Sequence, residues 1–149
     1  MIAKNNPHSS SELLLDRAMQ AADRGETTEA LRELRKVPAE DKTPLALSYE
    51  AYCLASEIQV TKEALAMCRQ ALEEDPDNPL IYLNVGRIYL AAGYETRAIR
   101  AFRKGVTLEP HPLLLRKLGV LVPRRRPIVP FLDRANPVNV ITGKLLARF

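Results

Sequence analysis

Residues 79–112 read PLIYLNVGRIYLAAGYETRAIRAFRKGVTLEPHP. Tyr82, Val85, Gly86 and Tyr89 fall at i, i+3, i+4 and i+7, the spacing of one helix face. A second helical run carries Ala98, Phe102 and Gly105. Gly86 and Ala98 are small, so the two helices can approach closely where they cross. Gly93, between them, supplies the positive φ that a tight interhelical turn often needs. Pro110 stops the second helix and resets the chain for another.

The same spacing recurs upstream. Ala30, Ala64 and Ala98 stand 34 residues apart, as do Pro76 and Pro110. Three units follow, at 11–44, 45–78 and 79–112. Their pattern resembles the tetratricopeptide repeat, a helix–turn–helix unit of about 34 residues. The second unit keeps Ala64, Ala71, Leu72 and Pro76. It has Tyr52 in the place of Gly86 and Ala55 in the place of Tyr89, an exchange of large and small that conserves core volume. Gln59 replaces the turn glycine there, so a different turn geometry is expected. The first unit keeps Ala18, Gly25 and Ala30 but has Arg17 for Val85 and Lys42 for the proline, and terminal repeats are commonly atypical. Leu115, Leu118 and Gly119 echo Tyr82, Val85 and Gly86 with one residue deleted, which reads as a capping half-repeat. Helices are expected at 11–24, 27–37, 45–58, 61–74, 79–92, 95–108 and 112–121, with loops at 38–44 and 75–79. The implied fold is all-α: an α-solenoid of antiparallel helix pairs that coils, as the family does, into a right-handed superhelix.

The resemblance also implies a site. In the family, first-helix residues that do not pack between helices line a concave face. By matching spacing these are Leu15 and Met19, Tyr49 and Cys53, and Leu83 and Arg87, bordered by Leu80, Asn84 and Leu90. Some members hold a partner's C-terminal carboxylate with Lys, Arg and Asn on these helices. Only Asn84 and Arg87 suit that role, so the groove reads as largely apolar. An apolar groove fits a partner's amphipathic helix or extended peptide. The alternative for any one of these residues is a place in the core.

Composition limits the other options. Hydrophobic residues make up 46% and charged residues 27% of 149, a globular balance with no run long enough to span a membrane. Aromatics are 5% and Trp is absent, which argues against an aromatic-cored β fold. The polar start, Met1 to Ser11, lacks the apolar segment of a secretory signal, and residues 1–10 are expected to be disordered. Cys53 and Cys68 cannot form a disulfide framework, which fits a reducing cytoplasmic setting.

The net charge of +4 is unevenly spread. Residues 113–149 carry eight Lys or Arg against Asp133 alone, while residues 1–112 are net acidic. Pro123, Pro127, Pro130 and Pro137 keep regular helix out of 122–137, where Arg124, Arg125 and Arg126 form a charge block beside Phe131 and Leu132. Asn136-Pro137 then reads as the start of an amphipathic helix with Val138, Ile141, Leu145 and Phe149 on one face. This tail could fill the protein's own groove, exchange into a second copy to make a homodimer, dock on another protein, or lie peripherally on an anionic membrane. The plain alternative is an appendage packed on the last helix with solvated arginines. Nucleic acid is disfavoured, because no aromatic stacking platform is interleaved with the arginines.

Catalytic chemistry has no visible carrier. His8 and His111 lack partners at metal-ligand spacing, and His111, between two prolines, reads as a solvent-facing loop residue. Neither cysteine has a histidine nearby in sequence. Asp75-Pro76-Asp77-Asn78 imitates a calcium loop but lacks its glycine and closing Glu. No catalytic residue, metal or cofactor is therefore expected. The reading is a non-enzymatic adaptor or scaffold that binds a partner protein. The alternatives are a secretion-type chaperone, which chains of this size with three such repeats resemble, and a membrane-surface assembly factor anchored by the tail.

Overall fold

The computed structural model describes residues 7–122. It contains seven α-helices and, among the described residues, no strand: α1 (Pro7–Asp23), α2 (Thr27–Leu34), α3 (Pro44–Ile58), α4 (Thr61–Glu74), α5 (Pro79–Ala91), α6 (Glu95–Leu108) and α7 (Pro112–Leu121). The N-terminal residues 1–6 and the tail from Pro123 onward lie outside the described residues, so the expected tail contacts Arg124, Arg125, Arg126, Phe131, Leu132, Ile141, Leu145 and Phe149 have no structural counterpart here.

Consecutive helices pair as α1 with α2, α3 with α4 and α5 with α6, and each first helix also packs on the pair before it. The solenoid follows from this nearest-neighbour pattern. Ala21, Ala22, Ala30, Leu31, Tyr49 and Cys53 form one cluster that joins the first pair to α3. Ala51, Ala55, Ala64, Cys68 and Ile88 join the second pair to α5. Leu83, Ala98, Phe102 and Leu114 join the third pair to α7, which closes that end of the array. The periodic alanines 30, 64 and 98 have no exposed surface at all. A small residue at each is what lets paired helices touch. Gly86 does the same work in the third unit: a Cβ there would overlap the Phe102 ring.

Three helices start by one device. Thr43, Asn78 and His111 each precede a proline and each accepts a backbone N–H, from Ala46 (3.1 Å), Leu80 (3.1 Å) and Leu113 (3.3 Å). Proline at the first helical position removes a donor that would have no partner, and the capping side chain satisfies another. His111 is thus a half-buried cap and not a solvent-facing loop residue.

Some boundaries differ from the sequence expectation. α1 begins at Pro7, before the expected position 11. α2 stops at Leu34, because Lys36 and Val37 donate to the carbonyls of Glu33 and Leu34 in a tightened turn ahead of Pro38. A short 3-10 turn, Ala39–Asp41, occupies part of the expected loop, and Asp41 accepts the Ser11 hydroxyl at 2.6 Å.

The turn at Gln59 is a larger surprise. No new geometry appears: Gln59 takes φ +56°, close to Gly93 at +79° and Gly25 at +84°. Packing of α3 on α4 forces the shared turn, and a residue with a Cβ is strained there by about 1–2 kcal/mol. Gln59→Gly should therefore raise the unfolding free energy in a urea titration, by up to about 1 kcal/mol after the extra chain entropy of glycine. Gly86→Ala should lower it by about 1–3 kcal/mol, because the Phe102 ring is fixed in the core.

Candidate partner-binding surface

The residues expected to line a concave groove lie mostly inside. Leu15, Tyr49, Cys53, Leu83, Asn84 and Arg87 are buried, and Met19, Leu80 and Leu90 are half-buried. The structure brings several of them together around one guanidinium. Arg87, only 4% exposed, pairs with Asp23 at the end of α1 (2.8 Å) and donates to Asn84 Oδ1 (3.1 Å). Asn84 Nδ2 in turn donates to Ser48 Oγ on α3 (2.9 Å), and Ser48 donates to the Leu45 carbonyl (2.7 Å). The Tyr49 hydroxyl donates to the Asp23 carboxylate at 3.1 Å. The guanidinium also lies over the rings of Tyr52 (5.0 Å to the centroid) and Tyr49 (5.9 Å).

This arrangement has physical reasons that spacing alone hides. A buried Arg needs a charge partner and filled donors, and a planar guanidinium can serve a carboxylate, an amide and ring faces at once. Tyr52 stands where the third unit has Gly86, and its ring gives Arg87 a face to rest on. Burial, and then the nearby Asp23 carboxylate, push the Tyr49 hydroxyl well above its usual titration range, so it stays a neutral donor. Among the described residues, no fully buried side-chain nitrogen or oxygen lacks a partner.

The two cysteines show the same effect of burial. Both are buried, and burial pushes the thiols of Cys53 and Cys68 up to about 12, far from a reactive thiolate. Among the described residues, no group of His, Cys, Asp and Glu could hold a metal ion, and no helix is long and apolar enough to cross a membrane.

The open concavity lies elsewhere. α4 and α6 both pack on α5. A cavity of about 520 Å³ opens between the α3–α4 turn and the α5–α6 turn, lined by Ala55, Gln59, Lys62, Leu65, Tyr94 and Arg97 among others. A second, of about 400 Å³, runs along α5 and α6 past Tyr82, Val85, Arg100 and Lys104. Tyr89 and Arg97 line both, so the two read as one furrow over α5. Arg97 rests over the rings of Tyr94 (5.1 Å) and Tyr89 (5.9 Å). The sequence reading did not single out Arg97, Tyr94 or Asp23. Comparison of the three units position by position would have found Arg97, because the equivalent residues are Glu29 and Glu63.

Stacked antiparallel helix pairs with small residues at their crossings and a closing single helix define an α-solenoid. Residues 61–116 match the tetratricopeptide-repeat family model. Among solved structures, a chain in the structure of Naa15/Naa10 bound to HypK-THB superposes on 75% of this chain with a TM-score of 0.63 and 22% identity. This chain spans 17% of the length of that one, and the likeness concerns the fold. No curated protein matches the sequence.

The buried network makes a stability prediction. Arg87→Ala should cost about 3 kcal/mol in a denaturant titration, because it strands Asn84 and a partly buried carboxylate. Arg87→Lys should recover little of this, since an ammonium cannot serve the carboxylate, the amide and both rings together.

Proposed function

We propose that this chain is a non-enzymatic interaction module that receives a helix or an extended peptide of a partner protein. The observation that carries the reading is the furrow over α5. It is a preformed concavity of peptide-binding size, with tyrosine and arginine at its centre. These residue types dominate binding energy at protein interfaces. The face made by the first helices suits a partner less well. Its central positions, Tyr49, Cys53, Leu83, Asn84 and Arg87, are engaged with one another or with neighbouring helices. The rigid stacking of repeats also favours binding without a large ordering cost. The solved structure that shares the fold is itself of a complex, Naa15/Naa10 bound to HypK-THB.

A photocrosslinking amino acid placed at Tyr94, in cells of the source, tests this. The reading expects one dominant crosslinked protein from Tyr94. The comparison site is Leu115 on α7, which is exposed at the closed end of the array. Crosslinks from Leu115 alone would move the partner away from the furrow. A chain that crosslinks to nothing from either position would overturn the interaction reading itself.

A further inference from the structure

The furrow over α5 has a counterpart in the first unit. A cavity of about 310 Å³ there is lined by Leu14, Arg17, Gln20, Ala21, Arg24, Glu29, Glu33 and Lys36. Shifted by two repeats, these positions become Tyr82, Val85, Ile88, Tyr89, Ala92, Arg97, Ala101 and Lys104. Six of those eight line the α5–α6 cavity, so the same architectural hollow occurs in units one and three.

Its charge pattern differs between them. In the first unit Arg32 pairs with Glu29 and Lys36 with Glu33, so these two cations are neutralised by acids three residues earlier in the chain. In the second unit the corresponding run is Glu63, Ala66 and Gln70. In the third it is Arg97, Arg100 and Lys104, with Ala101 where the first unit has Glu33. No acidic residue lines either part of the furrow, and Lys62 adds a further cation. Among the described residues, Arg97, Arg100 and Lys104 have no carboxylate partner.

From this we infer that the furrow over α5 is a recognition site for an acidic segment of the partner protein, with apolar or aromatic residues seated between its carboxylates. This deepens the interaction reading given above and rests on it. Three unopposed cations on one helix face create a field that carboxylates relieve. Arg97 is already held by two rings, so its guanidinium is ordered before the partner arrives and less entropy is lost on pairing. The apolar floor of Leu65, Val85 and Ala101 takes side chains that alternate with the acids. Single-stranded nucleic acid is the lesser fit. Base stacking needs a free ring face, and Arg97 lies over a face of both Tyr89 and Tyr94.

The test uses the full chain and three labelled probes: an oligoglutamate peptide with interspersed leucines, its oligolysine analogue, and oligouridylate. Fluorescence anisotropy should show binding of the glutamate peptide, weakening as salt is raised. The double variant Arg97→Glu with Lys104→Glu should lose about tenfold or more of that affinity at low salt. Both positions are exposed, and unchanged helical circular dichroism would verify folding. If Arg97→Glu disturbs the tyrosines, Arg100→Glu with Lys104→Glu makes the same test without touching a ring. A variant with Arg124, Arg125 and Arg126 changed to Gln should keep the binding. If that tail variant abolishes binding while the furrow variant retains it, the acidic ligand belongs to the tail and the inference falls. Tighter binding of oligouridylate, lost in the furrow variant, would also overturn it in favour of nucleic acid. Persistent crosslinking at Tyr94 in the charge-reversed chain would leave the interaction reading standing and remove only the acidic class of partner.

Discussion

The constraint on which the array depends is the satisfaction of one buried guanidinium. Arg87 sits on α5, its carboxylate partner ends α1, and the ring it lies nearest belongs to α3. These are the first helices of three successive units. A buried cation tolerates few alternatives, because leaving it unpaired costs several kcal/mol. The three helices must therefore hold one relative placement. The Asn84–Ser48 bond, buried between α5 and α3, adds a second directional link of the same kind.

Apolar packing works differently. Each hydrophobic cluster joins one helix pair to the first helix of the next unit and goes no further. Such contacts are non-directional and set how close the units stand. Their close approach depends on alanines 30, 64 and 98 and on Gly86 against Phe102. The polar network then spans what the clusters cannot, from the first unit to the third. Together they hold the helices of successive units in one relative placement.

Filling one face changes where a partner can go. The first helices spend Tyr49, Asn84 and Arg87 on their own network, and the furrow over α5 is left as the open hollow proposed above for a partner. There the chain reuses one hollow with altered charge. The first unit neutralises it internally, and the third leaves its cations open beside tyrosines. A repeat architecture permits this because a surface substitution in one unit leaves the packing of the others untouched.

The sequence by itself determined the helices, their pairing and the repeat frame. These depend on local spacing: the 34-residue alanines, the i, i+3, i+4, i+7 face of α5, and the proline stops. It also marked Gly86 and Gly93, where a close approach and a positive φ leave glycine a legible signature. Gln59 had no such signature, because the strain it bears is imposed by the packing of α3 on α4. The role of Arg87 was equally hidden. Its helix position is the same whether it faces a groove or a buried carboxylate, and Asp23 lies 64 residues away in the chain. Only the tertiary structure decided that pairing, and with it which face is closed and which is open. Spacing along one helix fixes the direction in which a side chain leaves the backbone, whereas burial and charge compensation depend on what the other helices place opposite it.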